Sequence, residues 1–189
     1  MINSYDIIEL RFHGRGGQGA VTAAQLLVAA AVKEGKWGQA IPLFGAERRG
    51  APVVAYARIS SSRIPLHSKV KSPDVVVVLD PYILMFVNVL EGLKPGGSVV
   101  VNSKSPPKLD LKGIKLVYVD ATSIAKKLGL VIAGWPVVNT AILGAIAKLG
   151  IVRVDSIVDA VKERWPGDLG ERNAQAVIKA YELTRIERW

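Results

Sequence analysis

Closely spaced glycines constrain this chain more than any other feature of its sequence. The segment HGRGGQG holds Gly14, Gly16 and Gly19 in the G-x-G-x-x-G spacing, with Gly17 as an additional glycine. An apolar stretch precedes the segment and an alanine-rich stretch follows it, which predicts a strand, a tight turn and a helix. Glycine lets the backbone approach a ligand closely, and the N–H groups at a helix start attract anions. The pattern favours a phosphate ligand, although the same turn also serves plain packing of a strand against a helix.

The composition is typical of an α/β protein with a buried parallel sheet. Half of the 189 residues are hydrophobic and only 6% are aromatic, so the core is expected to be aliphatic. This length suits one well-buried core and is short for two, which predicts a single domain over residues 1–189. No apolar run approaches the roughly 20 residues of a membrane span, and no signal-peptide pattern is present. We therefore expect a soluble cytoplasmic protein without a membrane partner.

Alternating strand and helix patterns predict a Rossmann-like three-layer α/β sandwich with a mainly parallel sheet and C-terminal helices. The second and third strands are too close in sequence for a crossover helix, so that pair is expected to be hairpin-like and irregular. The predicted strands are 7–12, 37–44, 53–59, 75–79, 99–102 and 114–119. The predicted helices are 20–33, 82–90, 120–128, 137–149, 155–164 and 171–188.

The residue types that are missing exclude several kinds of chemistry. The chain has no cysteine, which excludes disulfides, a thiolate nucleophile and any cysteine-ligated zinc or iron–sulfur cluster on this chain. Only two histidines are present, so a histidine-based metal site is not expected. Few Asn, Gln and Met residues, together with no Cys, favour a thermophilic source.

The net charge of +9 is concentrated in the half that holds the glycine segment. Residues 1–72 carry ten Lys/Arg and four Asp/Glu, or +6, whereas residues 73–189 carry fifteen and twelve, or +3. An anionic partner is one explanation, and a solubilising surface charge is the other. The chain lacks the interleaved aromatic and basic residues of nucleic-acid-binding modules, so no nucleic-acid partner is expected.

An arginine pair follows the second predicted strand, where dinucleotide-binding proteins carry an acidic residue. The predicted strand 37–44 contains no acid; the next one is Glu47, 28 residues beyond Gly19, and Arg48 and Arg49 follow it. This arrangement disfavours NAD, whose ribose hydroxyls need that acid. The arginines suit a ribose phosphate, as in NADP or coenzyme A, or else they belong to a partner-docking loop.

Isolated polar residues give weaker signals, and no group of them forms a catalytic arrangement of nucleophile, base and orienting residue. His13 is placed to touch a ligand or to be a hydrogen-bonded structural residue, and Asp80 to bind a ligand or to cap a helix. Asn102 and Lys104 follow a strand, where they either hydrogen-bond an anion or form an ordinary polar loop. Asn139 interrupts an apolar helix and is expected to be buried with a backbone partner. The chain is therefore expected to bind a ligand without catalysing a reaction alone.

Two segments taken together resemble the gamma subunits of the 2-oxoacid:ferredoxin oxidoreductases. These segments are HGRGGQG and, from Phe44 to Ser60, FGAERRGAPVVAYARIS. The similarity continues in shorter segments as far as residues 173–181, so it covers nearly the whole chain. The run ERRGAPVVAYARI is most similar to the pyruvate branch of the family.

The resemblance implies a role in a multi-chain enzyme that oxidises pyruvate reversibly, with coenzyme A and oxidised ferredoxin, to acetyl-CoA, CO₂ and reduced ferredoxin. It implies thiamine diphosphate, Mg²⁺ and 4Fe–4S clusters on the partner alpha, beta and delta chains. The gamma chain then helps to form the coenzyme A site and packs against the alpha and beta chains. The alternatives are the same role in a branched-chain 2-oxoacid or 2-oxoglutarate enzyme, and a stand-alone NADP-binding reductase.

The resemblance also implies where coenzyme A is contacted. The loop from Gly14 to Gly19 is expected to contact the phosphate or pantetheine part of coenzyme A, with Arg15 and Gln18 as the side-chain donors. The ERR segment is expected either in the ligand pocket or at a subunit contact. The ligand-contact residues implied in this way are Gly14, Arg15, Gly16, Gly17, Gln18, Gly19, Arg48, Asn102 and Lys104.

Overall fold

The computed structural model describes residues 6–43, 51–66 and 68–188. Within these ranges a seven-stranded sheet is packed against helices on one face. The strands of this sheet are β1 (Ile7–Arg15), β2 (Trp37–Pro42), β3 (Pro52–Ser60), β4 (Val75–Val78), β5 (Ser98–Asn102), β6 (Lys115–Val119) and β9 (Arg185–Arg188), and β7 (Val131–Ile132) and β8 (Trp135–Pro136) form a separate hairpin. The helices are α1 (Ala20–Lys33), α2 (Ala121–Lys127), α3 (Asn139–Ala147), α4 (Val154–Arg164) and α5 (Asp168–Leu183), with a 3₁₀ helix at Pro81–Met85.

The sheet has the order β2-β3-β1-β4-β5-β6-β9. The strands β1, β4, β5 and β6 pair in parallel, and β3 and β9 run against their neighbours. Because β2 is antiparallel to β3, it points the same way as β1, so five of these seven described strands share one direction. The mainly parallel sheet and the hairpin-like pair of β2 and β3 are thus confirmed.

Aliphatic burial on both sides of the central strands explains why their sequences read as continuous apolar runs. The valines of β4 alternate between the two faces of the sheet, with Val75 and Val77 toward the helices and Val76 and Val78 away from them. Every residue of β4 and β5 is buried. The helical face holds the larger core, to which α1, α3, α4 and α5 contribute.

The predicted helix over 82–90 is wrong for most of its length. The chain forms only the 3₁₀ helix Pro81–Met85, and turns follow it on the non-helical face of the sheet. A tertiary contact holds the segment in this non-helical path: the Arg11 guanidinium donates to the carbonyl oxygens of Val89 (2.9 Å) and Glu91 (2.6 Å). These carbonyls are therefore engaged by a side chain from β1, and the third layer of the sandwich here is irregular.

The last predicted helix, 171–188, is also wrong at its end. Helix α5 stops at Leu183, where the Thr184 hydroxyl donates back to the carbonyl of Ala180 at 2.5 Å. Residues 185–188 then form β9, which pairs antiparallel with β6. Local propensity alone favours a helix for these four residues. The open edge of β6 provides backbone hydrogen bonds that outweigh that propensity.

Helix α3 is buried along its whole length and crosses α5 at a glycine. A Cβ at Gly144 would lie 2.1 Å from the carbonyl oxygen of Val177 and 2.8 Å from the nitrogen of Tyr181. The two helix backbones are therefore in direct contact, and neither neighbouring atom belongs to a side chain that can turn away.

We predict that Gly144→Ala lowers the free energy of unfolding by about 1–3 kcal/mol, because the added methyl forces α3 and α5 apart. Urea denaturation of the isolated chain measures the effect. Gln175→Ala is the matched control, since Gln175 is exposed on α5 and its truncation opens no core space. Equal midpoints for the two variants would contradict the close crossing.

Candidate functional site

The glycine segment forms a loop between the end of β1 and the start of α1, as the sequence predicts. Gly17 and Gly19 have φ values of 95° and 79°, in the left-handed region that favours glycine. A Cβ at Gly19 would lie 2.6 Å from Nδ2 of Asn139, at the start of α3. Gly19 is therefore required twice, by the turn and by the helix that lies against it.

The loop lies where ligands bind in open α/β sheets. The chain continues from β1 toward β3 on one side, and β4 lies on the other side of β1. This reversal of strand order opens a crevice at the carboxyl ends of the strands, beside the loop. Helix α1 begins there, and no side chain of the described residues caps its N-terminus. Its first N–H groups are suited to an anion.

A buried carboxylate fixes the side chains of this loop. Asp80 follows β4, is 3% exposed, and accepts hydrogen bonds from Nε of Arg15 (2.5 Å) and Nε2 of Gln18 (2.8 Å). Its second oxygen accepts the N–H of Tyr82 at 3.0 Å, which caps the 3₁₀ helix. Oε1 of Gln18 in turn accepts the N–H of Arg15 at 2.7 Å. Asp80 thus caps a helix, as weighed from the sequence, and also joins the β1 loop to β4.

The Arg15 guanidinium lies between two exposed aromatic rings. Its Cζ is 5.9 Å from the ring centre of Tyr82 and 5.3 Å from that of Trp135, distances at which cation–π attraction acts. The Nε atom of Arg15 donates its hydrogen bond to Asp80, whereas neither Nη atom has a hydrogen-bond partner among the described residues. Arginine held in this way presents a two-pronged donor to a phosphate or carboxylate.

Sequence reasoning missed Trp135 as a member of this site. It lies on the hairpin of β7 and β8, whose two-residue turn has Ala133 at φ 49° and Gly134 at φ 82°. Positive φ at both central positions is the mark of a tight hairpin turn, and the Ala-Gly pair between apolar residues was the available signal.

Asn102 and Lys104 lie at the same edge of the sheet but in different surroundings. Asn102 is buried, and its Nδ2 donates to the carbonyl of Leu79 and to Oγ1 of Thr122, both at 2.9 Å. Its Oδ1 accepts the N–H of Thr122 at 3.2 Å, so the side chain links β4 to the start of α2. Lys104 is exposed, 4.0 Å from the carboxylate of Asp120.

The remaining sequence candidates separate into three outcomes. Asn139 is buried and its Oδ1 accepts the N–H of Thr140, which confirms the expected backbone partner. Glu47, Arg48 and Arg49 lie outside the described residues. The described ranges contain no cluster of three metal-ligating side chains and no helix long and apolar enough to cross a membrane.

His13 is a buried, neutral residue below the loop. Burial, and then the positive charge of Arg11, lower the pKa of His13 to about 4. Nε2 of His13 accepts a hydrogen bond from Nε of Arg11 at 3.0 Å, so the ring proton is on Nδ1. A protonated ring has no such acceptor, and the contact therefore holds only while His13 is neutral.

Comparison with known proteins identifies the family. Residues 9–183 match the family model described as pyruvate ferredoxin/flavodoxin oxidoreductase. The chain belongs to this family. It is a gamma-type subunit of a 2-oxoacid:ferredoxin oxidoreductase, which confirms the resemblance found in the sequence.

Two curated relatives cover almost the whole chain. The pyruvate/ketoisovalerate oxidoreductases common subunit gamma of Pyrococcus furiosus is 53% identical over 95% of this chain and 98% of its own length. Pyruvate synthase subunit PorC of Methanocaldococcus jannaschii is 51% identical, over 93% and 96%. Relatives from thermophiles fit the source expected from the composition.

Solved structures agree with the fold. The pyruvate oxidoreductase subunit PORC of Thermotoga maritima superposes with a TM-score of 0.82 at 34% identity, over 96% of this chain and 99% of that one. A 2-oxoglutarate:ferredoxin oxidoreductase of Magnetococcus marinus, with 2-oxoglutarate, coenzyme A and succinyl-CoA bound, has a TM-score of 0.77. It is 18% identical, and this chain covers 31% of it, so this likeness shows the fold alone.

We predict that acid destabilises the protein partly through His13. The unfolded chain takes up this proton near pH 6.5, whereas the folded chain takes it up only near pH 4. Stability from this source is complete above pH 6.5 and falls as the pH drops toward 4, by on the order of 3 kcal/mol in total.

His13→Gln keeps an acceptor for Arg11 but does not titrate, so its loss of stability between pH 7 and pH 5 should be smaller than that of the unchanged protein. Urea denaturation at both pH values measures this difference. Equal losses in the two proteins would show that His13 is not the group responsible.

Proposed function

We propose that this chain is the gamma subunit of a pyruvate:ferredoxin oxidoreductase and supplies part of its coenzyme A site. The observation that carries the proposal is Arg15, which Asp80 holds by its Nε while both Nη atoms face no partner in the described chain. Coenzyme A carries a pyrophosphate and a 3′-phosphate, and guanidinium groups bind such oxygens through paired hydrogen bonds. The adjoining N-terminus of α1 adds backbone N–H groups.

The chain's own chemistry limits it to binding and orienting. It has no cysteine for an iron–sulfur cluster, and the described residues hold no metal-ligating cluster. We infer that thiamine diphosphate, Mg²⁺ and the 4Fe–4S clusters belong to partner chains of the alpha, beta and delta type. In the assembled enzyme, coenzyme A then meets the acyl group carried by a partner and the electrons leave to ferredoxin.

Pyruvate is the proposed substrate because relatives near 50% identity are named pyruvate synthase subunits. A branched-chain 2-oxoacid is a second candidate. It is favoured by relatives named as a common subunit of pyruvate and ketoisovalerate oxidoreductases. A gamma subunit shared between two such enzymes leaves the choice of 2-oxoacid to its partners.

Exposed apolar side chains on the two segments that contact Arg15 support the packing of this face against a partner chain. Phe86 is 80% exposed and Met85 73%, on the same 3₁₀ segment as Tyr82. Ile132, on the hairpin with Trp135, is 69% exposed. Tyr82 and Trp135 lie beside Arg15, and the other three residues belong to the same two segments. These five residues are here called the apolar rim. Apolar groups clustered in this way on a subunit mark a protein contact.

We predict that Arg15→Gln in the assembled enzyme raises the KM for coenzyme A by about 10- to 100-fold, the cost of losing a charge-assisted hydrogen bond. The KM for pyruvate should stay unchanged. Steady-state assays with ferredoxin reduction as the readout measure both constants.

Arg63→Gln is the matched control for Arg15→Gln, because Arg63 is exposed in the segment after Ser60, at the opposite edge of the sheet. An unchanged KM for coenzyme A in an intact Arg15→Gln complex would contradict the proposal. NADPH binding and turnover by the isolated chain would instead favour the stand-alone reductase.

We predict that Met85→Ser together with Phe86→Ser lowers the yield of complex when this chain is co-expressed with its partner chains, because apolar area that the contact buries is lost. Size-exclusion chromatography measures the fraction assembled. Val32→Ser is the control, since Val32 is 55% exposed at the far end of α1. Equal assembly of both variants would rule out the apolar rim as the contact.

A further inference from the structure

A second concave region lies at the same edge of the sheet, beyond Asn102. This groove has a volume of about 480 Å³ and is bounded by the ends of β5 and β6, by α2, by the last turns of α5 and by the start of β9. Four basic side chains line it, and two acidic ones. The basic residues are Lys104, Lys127, Lys179 and Arg185, and the acidic residues are Asp120 and Glu182.

The positive charge of this basic groove is only partly compensated. The Asp120 carboxylate already accepts the N–H of Ser123 (2.9 Å) and its hydroxyl (2.6 Å). Lys104 is 4.0 Å from Asp120, at the limit of an ion pair. Within the described chain, no carboxylate lies within 4.0 Å of the charged nitrogens of Lys127, Lys179 or Arg185.

Helix ends explain part of this arrangement but not its convergence. Basic residues commonly occupy the last turn of a helix, where Lys127 lies, because they offset the helix dipole. Lys104 and Arg185, however, lie outside the helices, one after β5 and one at the start of β9. Four cations from four separate elements converge on one concavity, and their mutual repulsion is relieved when an anion is bound.

The position of the basic groove suits a ligand that also reaches Arg15. Strands β1 and β5 are separated by one strand, and neighbouring strands are about 4.8 Å apart. The near side of the groove, at β5, is therefore on the order of 10 Å from β1 along the edge, and its β6 side on the order of 14 Å. A volume of this size is within the range of small-molecule sites. Coenzyme A carries its 3′-phosphate on the ribose, away from the pyrophosphate and pantetheine.

We propose that the basic groove binds a phosphomonoester dianion, and that this group is the 3′-phosphate of coenzyme A. The assignment to coenzyme A rests on the function proposed above, with Arg15 and the glycine loop toward the rest of the molecule. Free inorganic phosphate presents the same chemistry, and the experiment separates these two sources.

The test compares coenzyme A with dephospho-coenzyme A, which lacks the 3′-phosphate, in the assembled enzyme. Lys127→Gln with Lys179→Gln should raise the KM for coenzyme A by about 10-fold or more, as expected for lost contacts to a phosphate. The KM for dephospho-coenzyme A should not change. Lys112→Gln with Lys126→Gln removes two exposed charges outside the basic groove and is the matched control.

Equal effects on the two coenzymes, or no effect on either, would overturn the assignment to the 3′-phosphate. Inhibition by inorganic phosphate, in competition with coenzyme A, is measured in parallel. If the groove variant loses only that inhibition, the groove is an anion site for free phosphate and not part of the coenzyme A site. Loss of assembly in the groove variant alone would overturn the proposal in favour of an acidic partner chain.

The KM values for coenzyme A distinguish a failure of the role proposed for Arg15 from a failure of the role proposed for the basic groove. An unchanged KM for coenzyme A in Arg15→Gln would remove the role of the glycine loop. If the groove variant still removed the difference in KM between coenzyme A and dephospho-coenzyme A, the 3′-phosphate assignment would nevertheless be supported.

Discussion

The candidate site depends on the carboxylate of Asp80. This buried group follows β4 and accepts hydrogen bonds from Arg15 at the end of β1, from Gln18 in the glycine loop and from the first turn of its own 3₁₀ helix. Only the Asp80 side of this ion pair is buried, and the desolvation of that carboxylate offsets much of the attraction, so the pair is a poor source of stability. Its value here is orientation: Nε is fixed, and both Nη atoms are left without a hydrogen-bond partner among the described residues.

The same edge of the sheet carries the other features that concern function. Asn102 bonds to the carbonyl of Leu79 and to Thr122, so the ends of β4 and β5 and the start of α2 are held in one arrangement. The apolar rim includes the two aromatic rings beside Arg15, and the basic groove lies further along the edge. A subunit that binds a phosphorylated co-substrate between itself and a partner needs anion donors and an apolar contact face side by side.

Much of the fold was accessible from the sequence, because local patterns determine it. The glycine spacing and the valine runs of β4 and β5 predicted the strand–turn–helix unit and the buried parallel strands. The errors at 82–90 and 185–188 have one physical origin. In each case a partner distant in sequence, the Arg11 guanidinium or the open edge of β6, forms hydrogen bonds with the backbone of the segment that no local pattern predicts.

The candidate site was accessible only in part. The loop residues were predicted, but the pairing of Arg15 with Asp80 joins positions 65 apart, and Trp135 comes from a hairpin with weak turn chemistry. The most direct measurement is photo-crosslinking of the assembled enzyme with a coenzyme A analogue, followed by identification of the labelled peptides. Labelling of this chain around residues 14–19 and 80–86 is expected, with protection by excess coenzyme A. Labelling confined to the partner chains would contradict a coenzyme A site on this subunit.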